Sequence, residues 1–128
     1  MPRIAASPFA TRIRLESGIP GADAMDAFDA LVMPSRYEAM SYVMLEAAAA
    51  GKPMILTDVG GAACVLEDGA NGLLVANTDA PEALAAAMAT LAEPDRLFAF
   101  TTEAERRKHR YALAVMVDGV EAIYRALA

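Results

Sequence analysis

Ala30-Leu-Val-Met-Pro-Ser-Arg-Tyr-Glu-Ala-Met-Ser-Tyr-Val-Met-Leu-Glu-Ala-Ala-Ala-Ala-Gly-Lys-Pro-Met-Ile-Leu-Thr57 is the stretch from which the fold can be read. Ala30–Met33 is a short apolar run stopped by Pro34, as a buried strand would be. Ser41 is placed to N-cap a helix, and Gly51, just before Pro53, is placed to close it. Pro53–Thr57 is a second apolar run, ending at Asp58 and a Gly60-Gly61 turn. Strand, helix, strand in this order implies a parallel pair. Within the helix Glu46 is the one charged residue between Val43 and Ala50. A carboxylate held among apolar side chains needs a partner, either a Lys or Arg of the chain or a ligand.

Outward from this unit the pattern repeats. A short helix is expected to about Leu66, and a last strand over Gly72–Val75. Asp79 and Glu82 form a capping-box-like start for a helix with Leu84, Met88 and Leu91 on one stripe. Pro94 opens a second helix that runs into the charged stretch Glu103–Arg110. In a third, Leu113, Met116, Val117, Val120, Ile123 and Leu127 recur at three- and four-residue intervals. Upstream, Met1–Thr11 has no clear period, and Arg12–Ser17 alternates charged and apolar residues as a half-exposed strand would. Gly18–Gly21 is a turn, and Ala22–Phe28 suits a short helix. The division expected is residues 1–27, an irregular start with an edge strand, and 28–128, the main domain. The fold class is α/β, a Rossmann-like parallel sheet flanked by helices. Ligands of such sheets bind beyond the carboxyl ends of the strands. The loops Pro34–Met40 and Asp58–Gly61 should therefore open on one edge and bring Glu38, the glycine pair and the helix start at Ser41 together.

Composition narrows the function. The chain has 128 residues, 56% hydrophobic and 22% charged, as a packed domain has. Its net charge of −6 argues against nucleic-acid binding, which needs an excess of Lys and Arg. Cys64 is the single cysteine, so no intrachain disulfide forms, and a reducing, cytoplasmic setting follows. No run approaches the roughly 20 apolar residues of a membrane span. Asp23, Asp26 and Asp29 are ordinary acidic partners of a helix start, not a metal set. His109, the single histidine, lies in Arg106-Arg-Lys-His-Arg110, a solvated helix face whose minority reading is contact with anionic lipid at the inner face of a membrane.

Several motifs together resemble one family. Glu38 and Glu46 form an E-x7-E pair; Asp58-Val-Gly-Gly61, Glu67-Asp-Gly-Ala-Asn-Gly-Leu-Leu-Val75 and Asp79-Ala-Pro-Glu-Ala-Leu84 follow in order. The series resembles the C-terminal, donor-binding domain of retaining glycosyltransferases of the GT-B fold, the family 4 (group 1) type, from about Phe28 to the end. The resemblance implies a nucleoside-diphosphate sugar as donor substrate, no cofactor, no metal, and a polysaccharide or glycoconjugate acceptor. It implies that Glu46 accepts hydrogen bonds from ribose hydroxyls, that Glu38 contacts the donor sugar as the catalytic-site carboxylate, and that the backbone of Ala39, Met40, Ser41, Tyr42 and Val43 faces the diphosphate and sugar. Gly60 and Gly61 supply the turn beside it, and Arg36 is placed to meet ligand or Glu38.

The chain also departs from the pattern. Ala39 stands where the family usually has Gly, and would be strained if that position needs a positive φ. Ser41 and Tyr42 replace small or apolar residues, and Cys64 replaces a Glu. The family's Gly-Arg turn and Lys are not found before Phe28, and the family's N-terminal acceptor domain is not expected within these 128 residues. Two readings result. The chain is the donor-binding part of a transferase, inactive alone; or it is a non-catalytic module that binds nucleotide or assembles with another chain. A sugar-nucleotide epimerase of the same fold fits the motif series less well. Unpaired sheet edges and the exposed stripe of the last helix are expected to favour a homo-oligomer.

Overall fold

A computed structural model describes residues 2–127. The sheet has three parallel strands, β1 (Leu31–Met33), β2 (Met54–Thr57) and β3 (Gly72–Val75), in spatial order β1-β2-β3. Leu31 pairs with Met54, and Met54 with Gly72, so Val32, Ile55 and Leu73 form one transverse row and Met33, Leu56 and Leu74 the next. All four residues of β2 are buried, while β1, at an edge, is half-buried throughout. Side chains alternate between faces along a strand, so each face of β2 serves a different core.

On one face Met54 and Leu56 pack with Met44, Ala47 and Ala48 of α3 (Tyr42–Ala49), with Ala62 and Val65 of α4 (Ala62–Val65), and with Met25 of α2 (Gly21–Met25). On the other, Ile55 and Val75 pack with Ala87 and Leu91 of α5 (Glu82–Leu91) and with Phe100 of α6 (Pro94–Arg107). The result is the flanked α/β sheet that the sequence implies. The chain opens with α1 (Pro2–Ala5), carries 3-10 turns at Ala10–Arg12 and Lys108–Tyr111, and closes with α7 (Leu113–Leu127).

The helix that carries Glu46 ends as its sequence requires. Gly51 has φ +69°; its N–H donates to the carbonyl of Ala48 (3.1 Å) and that of Lys52 to Ala47 (2.9 Å), a Schellman closure. The start differs in detail. Ser41 has the extended N-cap backbone (φ −80°, ψ 132°), but its hydroxyl makes no capping hydrogen bond.

Two local expectations do not hold. No strand forms over Arg12–Ser17; residues 13–20 are irregular, and Ile13 and Leu15 are exposed. Alternation specifies a strand only where one face can be buried, and here neither face is. The helix after β3 starts at Glu82 with Pro81 at its N-cap, so the Asp79–Glu82 capping box is absent. Asp79 instead pairs with Arg36. Met88 of the expected stripe is 48% exposed, beside an open groove with Val32, Leu91 and Leu97.

The basic run of α6 is held by carboxylates. Arg106 and Arg107 both bond Glu103, Arg107 reaches Glu67 at 2.6 Å, and Lys108 pairs with Glu105 at 2.7 Å. His109 Nδ1 lies 3.1 Å from the Arg106 carbonyl. The hydrogen bonds from Arg106 and then Arg107 hold the Glu103 carboxyl down from its ordinary 4.5 to about 2. A carboxyl whose pKa is lower folded than unfolded adds stability above its unfolded pKa and loses it as pH falls through the folded one. Acid unfolding of the chain should therefore show a loss between pH 4.5 and about 2 that Glu103→Gln lacks. Parallel acid titrations of the two proteins by circular dichroism would test it, and identical curves would contradict it.

Candidate functional site

At the carboxyl edge of the sheet the β1–α3 loop meets the β2–α4 loop, as the topology predicts. The Gly61 N–H donates to the Ala39 carbonyl at 2.6 Å. Gly60 has φ +51°, and a Cβ there would run into the Glu38 carbonyl. At Gly61 a Cβ would meet the Met40 side chain and stand 3.0 Å from the Ala39 oxygen. Gly60 is thus required twice over, by its backbone conformation and by the closeness of the neighbouring loop, while a side chain at Gly61 would have to displace Met40 and crowd the Ala39 oxygen. Among the described residues no non-glycine residue has a positive φ, so Ala39 carries no strain of that kind.

Further bonds hold the β1–α3 loop. The buried Thr57 hydroxyl, at the end of β2, donates to the Ser35 carbonyl. The Asn77 amide, beyond β3, donates to the Arg36 carbonyl at 3.0 Å. The Ser35 hydroxyl donates to Glu38 Oε1 at 3.3 Å, and Glu38 is half-buried. Tyr37 and Tyr42 are 91% and 82% exposed, and Met40 and Val43 are exposed as well.

Glu46 is placed differently from the expectation of a carboxylate among apolar residues. It is exposed, on the side of α3 that faces α2, and a Cβ on Gly21 would stand 2.5 Å from its Oε2. It borders an open groove of about 330 Å³ with Ala22, Met25, Asp26, Ala49 and Ala50. No ion pair or side-chain hydrogen bond among the described residues engages its carboxylate. The apolar run of the sequence hides this because the alanines on its other side, Ala47 and Ala48, fill the core.

Arg36 is also placed differently. Its guanidinium turns to Asp79 (2.5 Å) and Asn77 (3.3 Å), not to Glu38. Lys52 lies over the Phe28 ring at 6.0 Å. Asp23, Asp26 and Asp29 do not converge, and among the described residues no group of three His, Cys, Asp or Glu is placed to hold a metal ion. Cys64 is exposed. Ser35, Thr57 and Asn77 are the site residues that sequence reasoning passed over. The available signal was position: each stands at or just beyond the carboxyl end of a strand.

Comparison with known proteins gives the family and the fold. The family model of glycosyl transferases group 1 matches residues 9–94. The chain belongs to that family. It is 34% identical over 104 residues to a D-inositol 3-phosphate glycosyltransferase of Rhodococcus opacus and 34% identical over 116 residues to one of Thermobispora bispora. These matches take in 81% and 88% of this chain but 23% and 27% of the relatives, so the chain spans about a quarter of their length. Among solved structures, sucrose-phosphate synthase of Thermosynechococcus elongatus superposes with a TM-score of 0.71 at 28% identity, covering 81% of this chain and 26% of that one. Anabaena HepE, solved in complex with UDP-glucose, shares the fold at 21% identity and a TM-score of 0.68, over 81% of this chain and 29% of its own. As a group 1 glycosyltransferase sequence, the chain is a fragment of the GT-B type, with its three-stranded parallel sheet flanked by helices.

The glycine contacts lead to a quantitative expectation. Gly60→Ala should cost more stability than Gly69→Ala. Both positions have positive φ, worth roughly 1–2 kcal/mol against a side chain, but a Cβ at Gly69 meets open space while that at Gly60 meets the Glu38 carbonyl. Urea unfolding of both variants measures the difference, and equal losses would mean that the loops are not in contact.

Proposed function

We propose that this chain is the donor-binding part of a retaining glycosyltransferase that uses a nucleoside-diphosphate sugar and builds a polysaccharide or glycoconjugate. The observation that carries this reading is the fit of Gly60-Gly61 against the Glu38–Met40 backbone at the start of α3, with the carboxylate of Glu46, unengaged among the described residues, one turn further along that helix. Glu46, exposed beside an open groove, offers two acceptor oxygens in one plane, which suits two adjacent ribose hydroxyls. Asp26 borders the same groove, which favours hydroxyl donors over anions there. Glu38 would hold the sugar. The diphosphate would be met by the backbone N–H groups at the start of α3, where a helix favours negative charge. Those N–H groups would stabilise the charge that builds on the departing diphosphate. The binding of UDP-glucose by Anabaena HepE supports the same class of donor.

Arg36, already paired with Asp79, supplies no free cation to the diphosphate. In this reading charge compensation comes from protein outside this quarter of the relatives' length, and the chain on its own transfers no sugar at a useful rate. No helix of the described residues is long and apolar enough to cross a membrane; that the site works at the cytoplasmic side, with any membrane contact peripheral, is part of the proposal.

The test is a two-dimensional amide NMR titration with UDP, GDP and ADP. One of them should shift signals of residues 38–46 and 60–61, and Glu46→Ala should abolish the shifts. Silence at millimolar concentration of all three would sink the reading.

A second reading, assembly with another copy, is favoured by α7. Leu113, Met116, Val120, Ile123, Tyr124 and Leu127 are between 46% and 81% exposed. An isolated helix of this length is marginal in water, so it needs a partner surface. The apolar positions are symmetric about Val120, so two antiparallel copies would set Leu113 against Leu127 and Val117 against Ile123. Light scattering should give a dimer mass that Val120→Glu reduces to the monomer's; a monomer in both would remove this reading.

A further inference from the structure

The carbonyls of Ser35, Arg36 and Ala39 are each held by a donor from another strand's loop: the Thr57 hydroxyl, the Asn77 amide and the Gly61 N–H. Loops are ordinarily the mobile part of a fold. Here the backbone on both sides of Glu38 is tied to the carboxyl ends of β2 and β3. The ties also reach the carboxylate, because the residue fixed by Thr57 is the one whose hydroxyl donates to Glu38 Oε1. Asn77 is itself oriented, since its Oδ1 accepts from Arg36 Nη1 while Asp79 accepts from Nη2. Arg36 and Asn77 therefore bond each other in both directions, side chain to side chain and amide to backbone carbonyl.

We propose that Ser35, Thr57 and Asn77 are positioning residues: Thr57 and Asn77 fix the β1–α3 loop before any ligand arrives, and Ser35 aims the Glu38 carboxylate at the sugar of the donor. Arg36 takes part as the group that orients Asn77, not as a phosphate ligand. The second half of this inference rests on the donor-site reading; the first half does not. A carboxylate with one oxygen already engaged presents the other to an incoming hydroxyl in a preferred direction, and less rotamer freedom is lost when the sugar binds.

Two measurements separate the halves. Amide hydrogen exchange of the free protein should quicken for residues 36–40 in Asn77→Ala and in Thr57→Val, while the amides of β2 keep their protection. Unchanged exchange in the loop, or quickening throughout the sheet, overturns the pinning. Binding of UDP and UDP-glucose by calorimetry then tests the aiming. Ser35→Ala should leave UDP affinity within about twofold and reduce the gain from the glucose moiety by roughly two- to tenfold, the weight of one hydrogen bond. Ser35→Thr, which keeps a hydroxyl, should restore that gain. Equal loss for both ligands, or none for either, overturns the role of Ser35. If the unaltered chain binds neither probe, the donor-site reading and the aiming fall together, and the exchange experiment still decides the pinning.

Discussion

The structure hangs on the strand Met54–Thr57. Its four residues are buried, it bonds a parallel neighbour on each side, and its side chains seed both cores. With both faces and both edges covered, no other placement of Met-Ile-Leu is available to the chain. Pro53 before it cannot donate to a ladder, and Thr57 at its end turns the last side chain to hydrogen bonding. A one-residue slip would carry Met54 and Leu56 to the α5 face and Ile55 to the α3 face, so the register is set by which side chains each helix layer can accept. The position of the site edge follows from that register.

Much of this was legible in the residues. The three strands, the Schellman end at Gly51 and the meeting of the Glu38 and Gly60-Gly61 loops all follow from short-range chemistry and from the parallel order it implies. What was not legible concerns pairings over long sequence distance. Asp79 looks like a helix cap because its neighbours in sequence make a capping box, yet a guanidinium 43 residues upstream competes for it and wins. Arg12–Ser17 alternates like a strand, yet a strand needs a partner ladder that no local pattern can supply. Glu46 looks buried because sequence shows what flanks it along the chain and not which turn of the helix faces outward.

The edge so formed is poor in free cations. Its two signature carboxylates offer acceptors, its glycines offer closeness, and its one nearby guanidinium is spent on the fold. Under the proposed donor reading such a surface would discriminate by hydroxyl geometry more than by charge. The overall charge of −6 points the same way, since a long-range attraction for an anionic ligand is absent. Under the proposed donor reading, recognition at this edge would depend on short-range fit, to which the backbone bonds of the Glu38 loop contribute.

Ala112 joins the body to α7 as a single extended residue (φ −67°, ψ 138°) between the 3-10 turn at Tyr111 and Leu113. Beyond the first turn, where Val115 and Met116 border a cavity with Leu45 and Tyr111, every residue of the helix is exposed. Mechanically this is a lever on a one-residue pivot. Fifteen residues at 1.5 Å each make an arm of about 22 Å, so a rotation of about 30° at Ala112 moves its far end by roughly 10 Å. The tip of the arm therefore lies far from the sheet, and a change of backbone angle at this one residue would redirect it without altering the edge that carries Glu38.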